Sequence, residues 1–149
     1  MRSIVAAAAL MLVAAAPAAP RLRAGLWQVD SVPRAATLDG RPLADLPYAA
    51  PPPRTLCLTP TQAADPAAWF ARDSAGCALS RRQVAAGKVV IEGSCPSPDA
   101  GQPRGTVRIT GRFADDRYAL RFATVVHGEN GRMGFDGSEE GRRLGDCPG

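Results

Sequence analysis

An alternation of apolar and polar residues between positions 106 and 122 constrains the fold of this chain more than any other feature. The apolar members of the alternation are Val107, Ile109, Phe113, Tyr118, Leu120 and Phe122. Alternation with a period of two is typical of strands with one buried face, so the segment predicts an antiparallel hairpin that is wet on its arginine and threonine side. A turn centred on the two aspartates at 115–116 sets Phe113 opposite Tyr118. The same register sets Ile109 opposite Phe122.

A second hairpin is predicted further along the chain. Asn130-Gly131 is a turn signal, and a turn centred there sets Val126 opposite Phe135 on the apolar face. The stretch 133–143 that follows is glycine-rich and predicts a weak strand.

The N-terminal part of the chain predicts a strand, then a long loop. Residues 25–32 have strand character, with Trp27 and Val29 on one face. The segment Pro33–Pro53 holds six prolines, and proline cannot donate to a strand ladder. We therefore expect a surface loop at 33–53, either a tolerated insertion or a flexible lid or binding loop. Residues 54–58 predict a short strand.

A helix start follows that strand. In the T-P-T-Q motif at 59–62 the first threonine can cap, the proline suits the first helical position and the glutamine completes a capping box. Asp65-Pro66 repeats the pattern, so the helical segment is expected as two short pieces. Trp69 and Phe70 are expected to seat it on the sheet. The predicted fold class is mainly β, with one short helical segment and two disulfides. The sheet is expected to be a curved antiparallel meander, and a half-barrel is one shape that such a sheet can take.

The first residues predict an export signal. Arg2 precedes an apolar stretch, Ile4 to Ala16, and Ala16-Pro17-Ala18 has the small-x-small pattern of a signal peptidase site. Since the stretch is shorter than the ~20 residues that span a bilayer, we expect a signal peptide at 1–18 and no transmembrane segment after cleavage. The mature chain, 19–149, is then a single disulfide-stapled domain in the periplasm.

Cysteine spacing predicts how this domain is stapled. The four cysteines are Cys57, Cys77, Cys95 and Cys147. An even number in an exported chain indicates disulfides, and their spacing suits neither a C-x-x-C redox motif nor a zinc knuckle. A three-residue hairpin loop ending at Gly87 sets Val84 opposite Lys88, which brings Cys77 opposite Cys95. A two-residue turn at 86–87 would shift that register by one. The prediction is Cys77–Cys95, which leaves Cys57–Cys147.

The positive charge does not by itself indicate a nucleic-acid partner. The chain has 18 Lys+Arg and 14 Asp+Glu, for a formal net charge of +4. Nearly every cation is arginine, and the arginines are scattered along the sequence with acids between them. This pattern favours solvated surface charge, so no nucleic-acid partner is expected.

Several short motifs occur in a familiar order. After the exported leader come Gly25-Leu26-Trp27, the C-L-T-P segment at 57–60, two middle cysteines and the G-R-R-L-G-D-C segment at 141–147. In this order and spacing the chain resembles the domain-of-unknown-function 3617 family of small exported bacterial proteins, over essentially the whole mature chain. The 33–53 loop departs from the family pattern because it lacks methionine. The resemblance implies no catalytic residues.

Motifs for catalysis are missing from the sequence. There is no G-x-S-x-G and no H-E-x-x-H, and the single histidine, His127, is expected to be a solvated loop residue. Glu139 and Glu140 are adjacent, so on a strand they point to opposite faces. We therefore expect a non-enzymatic binding or envelope-interaction module with no catalytic, cofactor-binding or metal residues, whose partner is a small apolar ligand or an envelope protein. The alternatives are a small periplasmic hydrolase or a lipocalin-like carrier of an apolar ligand.

Overall fold

The computed structural model describes residues 20–46, 49–74, 76–96, 103–128 and 131–149. The predicted signal peptide at 1–18 lies outside these ranges, as does Asn130 of the predicted turn. Within the described ranges the chain forms eight strands, two short α-helices and one 3-10 turn. The elements are β1 (Gly25–Leu38), β2 (Arg41–Pro42), β3 (Arg54–Leu58), α1 (Pro60–Ala64), α2 (Pro66–Phe70), the 3-10 turn (Arg72–Ser74), β4 (Ala78–Ala85), β5 (Lys88–Pro96), β6 (Pro103–Phe113), β7 (Arg117–Gly128) and β8 (Gly131–Gly145).

All eight strands belong to one antiparallel sheet, which is not closed. Its order is β2-β1-β8-β7-β6-β5-β4, with β3 also paired to β1. Strands β4 to β8 therefore form a meander, and β1, the first strand in the chain, pairs with β8, the last. The predicted fold class, mainly β with a short helical segment and two disulfides, is confirmed.

The β6–β7 hairpin has the predicted register. Phe113 pairs with Tyr118 and Ile109 pairs with Phe122. The sheet face that carries these side chains is called the inner face below, and the opposite face the outer face. Ile109 and Tyr118 are buried, at 6% and 4% exposure, because the two helices cover the inner face beside them.

Helix α2 supplies the residues that close the core. The Thr59 side chain and Gln62 form the predicted capping box of α1, and the Asp65 side chain accepts from Ala68 N at the start of α2. Trp69 and Phe70 are both buried, as predicted for residues that seat the helix. The Phe70 ring lies 5.2 Å from Tyr118 and 5.8 Å from Phe113.

The predicted loop at Pro33–Pro53 is wrong in its first part. Strand β1 continues through Pro33 to Leu38 and then turns into β2. On one side of β1, Pro33 pairs with β8 at a register shift. On the other side, β1 pairs with β3 only as far as Val29 and with β2 only from Thr37, so Pro33 has no partner strand there. A proline without an N–H is tolerated at such an irregular position on an otherwise unpaired edge. The irregular segment is thus limited to the residues after Pro42.

The β4–β5 turn also differs from the prediction, although the disulfide does not. Ala85 pairs with Lys88 across a two-residue turn, in which Ala86 and Gly87 both have positive φ. Alanine adopts this conformation rarely, and the predicted three-residue loop requires it only of Gly87, at its third position. A register shift between Leu79 and Arg81 then adds one residue to β4 and offsets the shorter turn. The extra residue brings the two cysteines of the hairpin back into register.

The β7–β8 register is shifted by two residues from the prediction. Val126 pairs with Met133, whereas Phe135 pairs with Thr124. The last pair of this hairpin is Gly128 with Gly131, so the hairpin is centred between these two residues and not on 130–131. On its other side, the start of β8 is held against the end of β1, because Arg132 N donates to the Asp39 side chain and Asp39 N donates to the Arg132 carbonyl. A shift of two keeps the same side chains on the same face.

Both disulfides join the predicted pairs. Cys57–Cys147 ties β3 to the segment after β8, across a sequence separation of 90 residues. Cys77–Cys95 links the ends of the β4–β5 hairpin, 18 residues apart. In the described part of the chain no cysteine is left free.

Candidate functional site

The outer face carries a cavity lined by charged side chains. It is an open groove of about 520 Å³ over strands β1, β6, β7 and β8. Its charged and amide side chains are Gln28, Asp30, Arg112, Arg117, Glu140 and Arg142. We call it the arginine groove. Ala119 lies between Arg112 and Glu140 in the strand register, so a methyl group forms that part of the floor.

Strand register explains why three arginines distant in sequence meet here. Each is an outward-facing residue of its strand, and the meander places β6, β7 and β8 side by side. Arg117 pairs directly with Arg142, and Arg112 pairs directly with Lys88 of β5. Like charges directly opposite each other destabilise a sheet. Within the described ranges neither Arg112 nor Arg117 has an acidic partner that would offset this repulsion.

The acids of the groove are also paired with each other. Asp30 of β1 is directly opposite Glu140 of β8. Arg142, beside Glu140 on the same face, donates from Nη2 to the Gln28 Oε1 at 2.8 Å. The groove therefore has a basic part over β6, β7 and β8 and an acidic part over β8 and β1.

A second polar cluster lies on the inner face, directly behind the groove. We call it the buried ion cluster; its members are Ser31, Arg72, Tyr118 and Glu139. Glu139 is only 7% exposed, and Arg72 Nη2 donates to both of its carboxylate oxygens at 2.8 Å. The Tyr118 hydroxyl donates to Oε1 at 2.9 Å, and the Ser31 hydroxyl donates to Oε2 at 3.1 Å. Both oxygens of this carboxylate are thus occupied by donors from the protein.

The electrostatics of the cluster follow from its burial. Burial raises the pKa of the Tyr118 phenol well above its usual range, and the neighbouring Glu139 carboxylate raises it further, while Arg72 opposes the rise. Burial works to lower the pKa of Arg72, but the attraction and hydrogen bonds of Glu139 produce a net rise. Tyr118 is therefore neutral and Arg72 charged at every physiological pH.

Helix α2 is fixed to the sheet through Arg72. Its Nη1 donates to the Trp69 carbonyl at 3.0 Å, and its guanidinium lies 4.7 Å from the centre of the Trp69 ring. At the exposed rim, Arg54 Nη2 lies 2.9 Å from Asp73 Oδ2 and 3.9 Å from Glu139 Oε2. With every oxygen of Glu139 engaged, the arrangement holds the helix in place and leaves no lone pair directed at a substrate.

The sequence anticipated part of this arrangement. Glu139 and Glu140 do point to opposite faces, the first buried and the second exposed. His127 is exposed but belongs to β7, paired with Arg132, and is not in a loop as predicted. The sequence did not predict the arginine groove or the buried ion cluster. The alternation of residues along β8 could have indicated the buried carboxylate, because it places Glu139 on the same face as Gly137 and Gly141, which is the buried face.

Those two glycines explain how the weak strand packs. A Cβ on Gly137 would lie 2.2 Å from the Phe122 ring, and a Cβ on Gly141 would lie 2.1 Å from the Tyr118 ring. The glycines therefore make room for two aromatic rings on the inner face. Tyr118 can reach Glu139 because Gly141, directly opposite it, has no side chain.

The apolar inner face is filled by the protein itself where the helices lie. The Phe70 ring packs against Tyr118, whose ring lies 5.6 Å from that of Trp27, and Trp69 belongs to the same buried cluster; these side chains fill the region where a carrier would hold an apolar ligand. Among the described residues no three His, Cys, Asp or Glu side chains come together as a metal site. None of the helices in the described ranges is long and apolar enough to cross a membrane.

Comparison with known proteins identifies a family but no activity. A family model described as "Protein of unknown function (DUF3617)" matches residues 22–147. No curated protein and no solved structure matches the chain.

Proposed function

We propose that this chain, which belongs to the family of proteins of unknown function DUF3617, is an exported, non-enzymatic module that binds an anionic ligand in the arginine groove. One observation carries the proposal. Arg117 and Arg142 lie directly opposite each other, beside Arg112, without an acidic partner in the described ranges for Arg112 or Arg117.

The physical reason is that such an arrangement costs stability unless an anion enters it. Like-charged pairs directly opposite each other are unfavourable, by roughly 0.2–1 kcal/mol each. A carboxylate or phosphate between the arginines converts repulsion into attraction, because the guanidinium fork matches both groups with two parallel hydrogen bonds. A volume of about 520 Å³ lies in the range of small-molecule sites, roughly 300–1,000 Å³.

The residue types of the groove favour binding. Its described lining holds no serine, threonine, cysteine or histidine, so the hydroxyl or thiol nucleophile and histidine base of common hydrolases are missing there, and its carboxylates are those of Asp30 and Glu140. The buried carboxylate behind it, Glu139, is saturated by its own donors. These features support binding over hydrolysis. The filling of the inner face by Trp69 and Phe70 speaks against a lipocalin-like carrier.

Export to the periplasm is the second part of the proposal. It is supported by the leader at 1–18 and by two disulfides, which persist in an oxidising compartment. Intact-mass measurement of protein from the periplasm should show the loss of the first 18 residues. A full-length species confined to the cytoplasm would contradict export.

Anion binding is tested by titration with inorganic phosphate and with acetate, followed by amide chemical shifts in NMR and by thermal unfolding. We expect shifts concentrated on the outer face of β6, β7 and β8, and a rise in Tm greater than sodium chloride gives at equal ionic strength. Arg117→Gln should remove both effects. Arg121→Gln, with the same charge change on the same strand and face but outside the groove, should keep them. An equal response of both variants would overturn the proposal.

A further inference from the structure

We infer that the ligand of the arginine groove is a short peptide with a free amino end and a free carboxyl end. The inference rests on the proposed anion site and deepens it. Its starting point is the acidic half of the groove, which a simple anion leaves without a role.

Charge is segregated along one row of the sheet. The row crosses the sheet from β5 to β1 and has one residue from each strand. Its residues, in order, are Lys88, Arg112, Ala119, Glu140 and Asp30. The acidic pair is a like-charged pair, just as the basic pair is. An anion over Arg112 leaves the repulsion between Glu140 and Asp30 in place, and it is itself repelled by them. A ligand that carries an ammonium as well as an anionic group compensates both pairs.

The spacing of the row sets the length of that ligand. Arg112 and Glu140 are two strands apart, and strands are ~4.8 Å apart, so their Cα atoms are about 10 Å apart. An extended chain spans at most ~3.3–3.6 Å per residue, which makes a tripeptide about 10 Å long. In a free amino acid, or in ethanolamine phosphate, the two charges are only a few bonds apart, so neither molecule can reach both halves of the groove together.

The middle of the groove suits a peptide backbone. Ala119 is the residue between the two charged halves, so the floor is low there. Gln28 lies on β1 opposite Arg142, two residues from Asp30 and beside the acidic half. It accepts from Arg142 with its Oε1, which fixes the orientation of the amide and leaves its NH₂ group to donate to a carbonyl near the amino end of the peptide. The ends of the ligand are thus recognised by charge, and a carbonyl near its amino end by a hydrogen bond.

The test measures the Kd of four probes by NMR titration of the protein: trialanine, N-acetyl-trialanine, trialanine amide and ethanolamine phosphate. We expect trialanine to bind tightest, with at least a ten-fold loss when either end is blocked. Equal binding of trialanine and its acetylated form would overturn the inference. So would tighter binding of ethanolamine phosphate, which would indicate a lipid headgroup ligand.

A variant separates this inference from the proposed anion site. Glu140→Gln should weaken trialanine at least five-fold and leave the Kd for inorganic phosphate unchanged or lower. Asp136→Asn, a matched loss of a carboxylate on β8 outside the groove, should change neither value. If inorganic phosphate binds in an Arg117-dependent way while trialanine does not bind, the peptide inference fails and the anion site stands. If neither binds, both fail.

Discussion

Replacing Glu139 by glutamine should destabilise this protein more than any other loss of a single carboxylate in its described part. The change keeps the size of the side chain and removes one negative charge from a site that is 7% exposed. Arg72 then keeps its charge in a position where only 18% of its side chain is exposed, and it faces a neutral amide. The amide NH₂ is itself a donor, so it cannot replace both oxygens as acceptors.

The magnitude follows from the geometry. Removing one partner of a buried ion pair costs about 3–5 kcal/mol, since the other charge is left buried and unpaired. Tyr118 and Ser31 can still donate to the remaining amide oxygen, and Arg72 can move partly toward Asp73, 3.8 Å away. We therefore expect the lower end of the range, about 3 kcal/mol.

The assay is urea denaturation with the disulfides intact, comparing midpoints at unchanged m-value. Glu140→Gln is the matched control, because the same change on the exposed side of the same strand should stay within about 0.5 kcal/mol of the original protein. Removing both charges in Arg72→Met/Glu139→Met should cost less than Glu139→Gln alone, as buried pairs replaced by apolar residues are often neutral. A loss below about 1 kcal/mol for Glu139→Gln would refute the reasoning.

Two further predictions concern the disulfides and a tyrosine. In urea denaturation, Cys57→Ser/Cys147→Ser should lower the free energy of unfolding by roughly 1–1.5 kcal/mol more than Cys77→Ser/Cys95→Ser does, because loop-closure entropy is larger for a separation of 90 residues than for 18. The reverse order would contradict this account. The raised pKa of Tyr118 means that the folded state keeps a proton that the unfolded state loses, so stability is flat below the unfolded pKa of ~10 and falls as pH rises above it. Tyr118→Phe should remove this contribution from the fall between pH 10 and 11.5, and an identical pH dependence in both proteins would show that Tyr118 titrates normally.

Local pattern predicted the parts of the fold that depend on neighbouring residues. The β6–β7 hairpin has its predicted register because alternation and turn lie within one short segment. The caps at Thr59 and Asp65 were predicted for the same reason. The Cys77–Cys95 pairing was right although the turn was wrong, because a bulge in β4 compensated for a two-residue turn. A bulge is set by packing against the rest of the sheet, and the sequence gives no local signal for it.

Neither the buried ion cluster nor the arginine groove could be predicted from the sequence, because both depend on which strands become neighbours. The contacts of Glu139 with Ser31, Arg72 and Tyr118 join residues 108, 67 and 21 positions apart. The groove requires β1 to lie beside β8, a pairing between the two ends of the described chain. Arginines that appear scattered along the sequence share one face only after this pairing is made.

The groove finally implies a trade-off between stability and binding that one substitution can expose. Arg117→Glu replaces a like-charged pair with Arg142 by an oppositely charged pair. The substitution removes a repulsion and adds an attraction, each worth roughly 0.2–1 kcal/mol, so we expect the free energy of unfolding to rise by about 1 kcal/mol. Arg121→Glu changes the net charge equally on the same strand, but residue 121 is opposite Ser138 and Thr110, so it should stay within about 0.5 kcal/mol. Urea denaturation should thus find Arg117→Glu the more stable protein and NMR titration should find that it no longer binds inorganic phosphate. Equal gains in both variants would mean that net charge alone acts, and retained phosphate binding would mean that Arg117 is not part of the site.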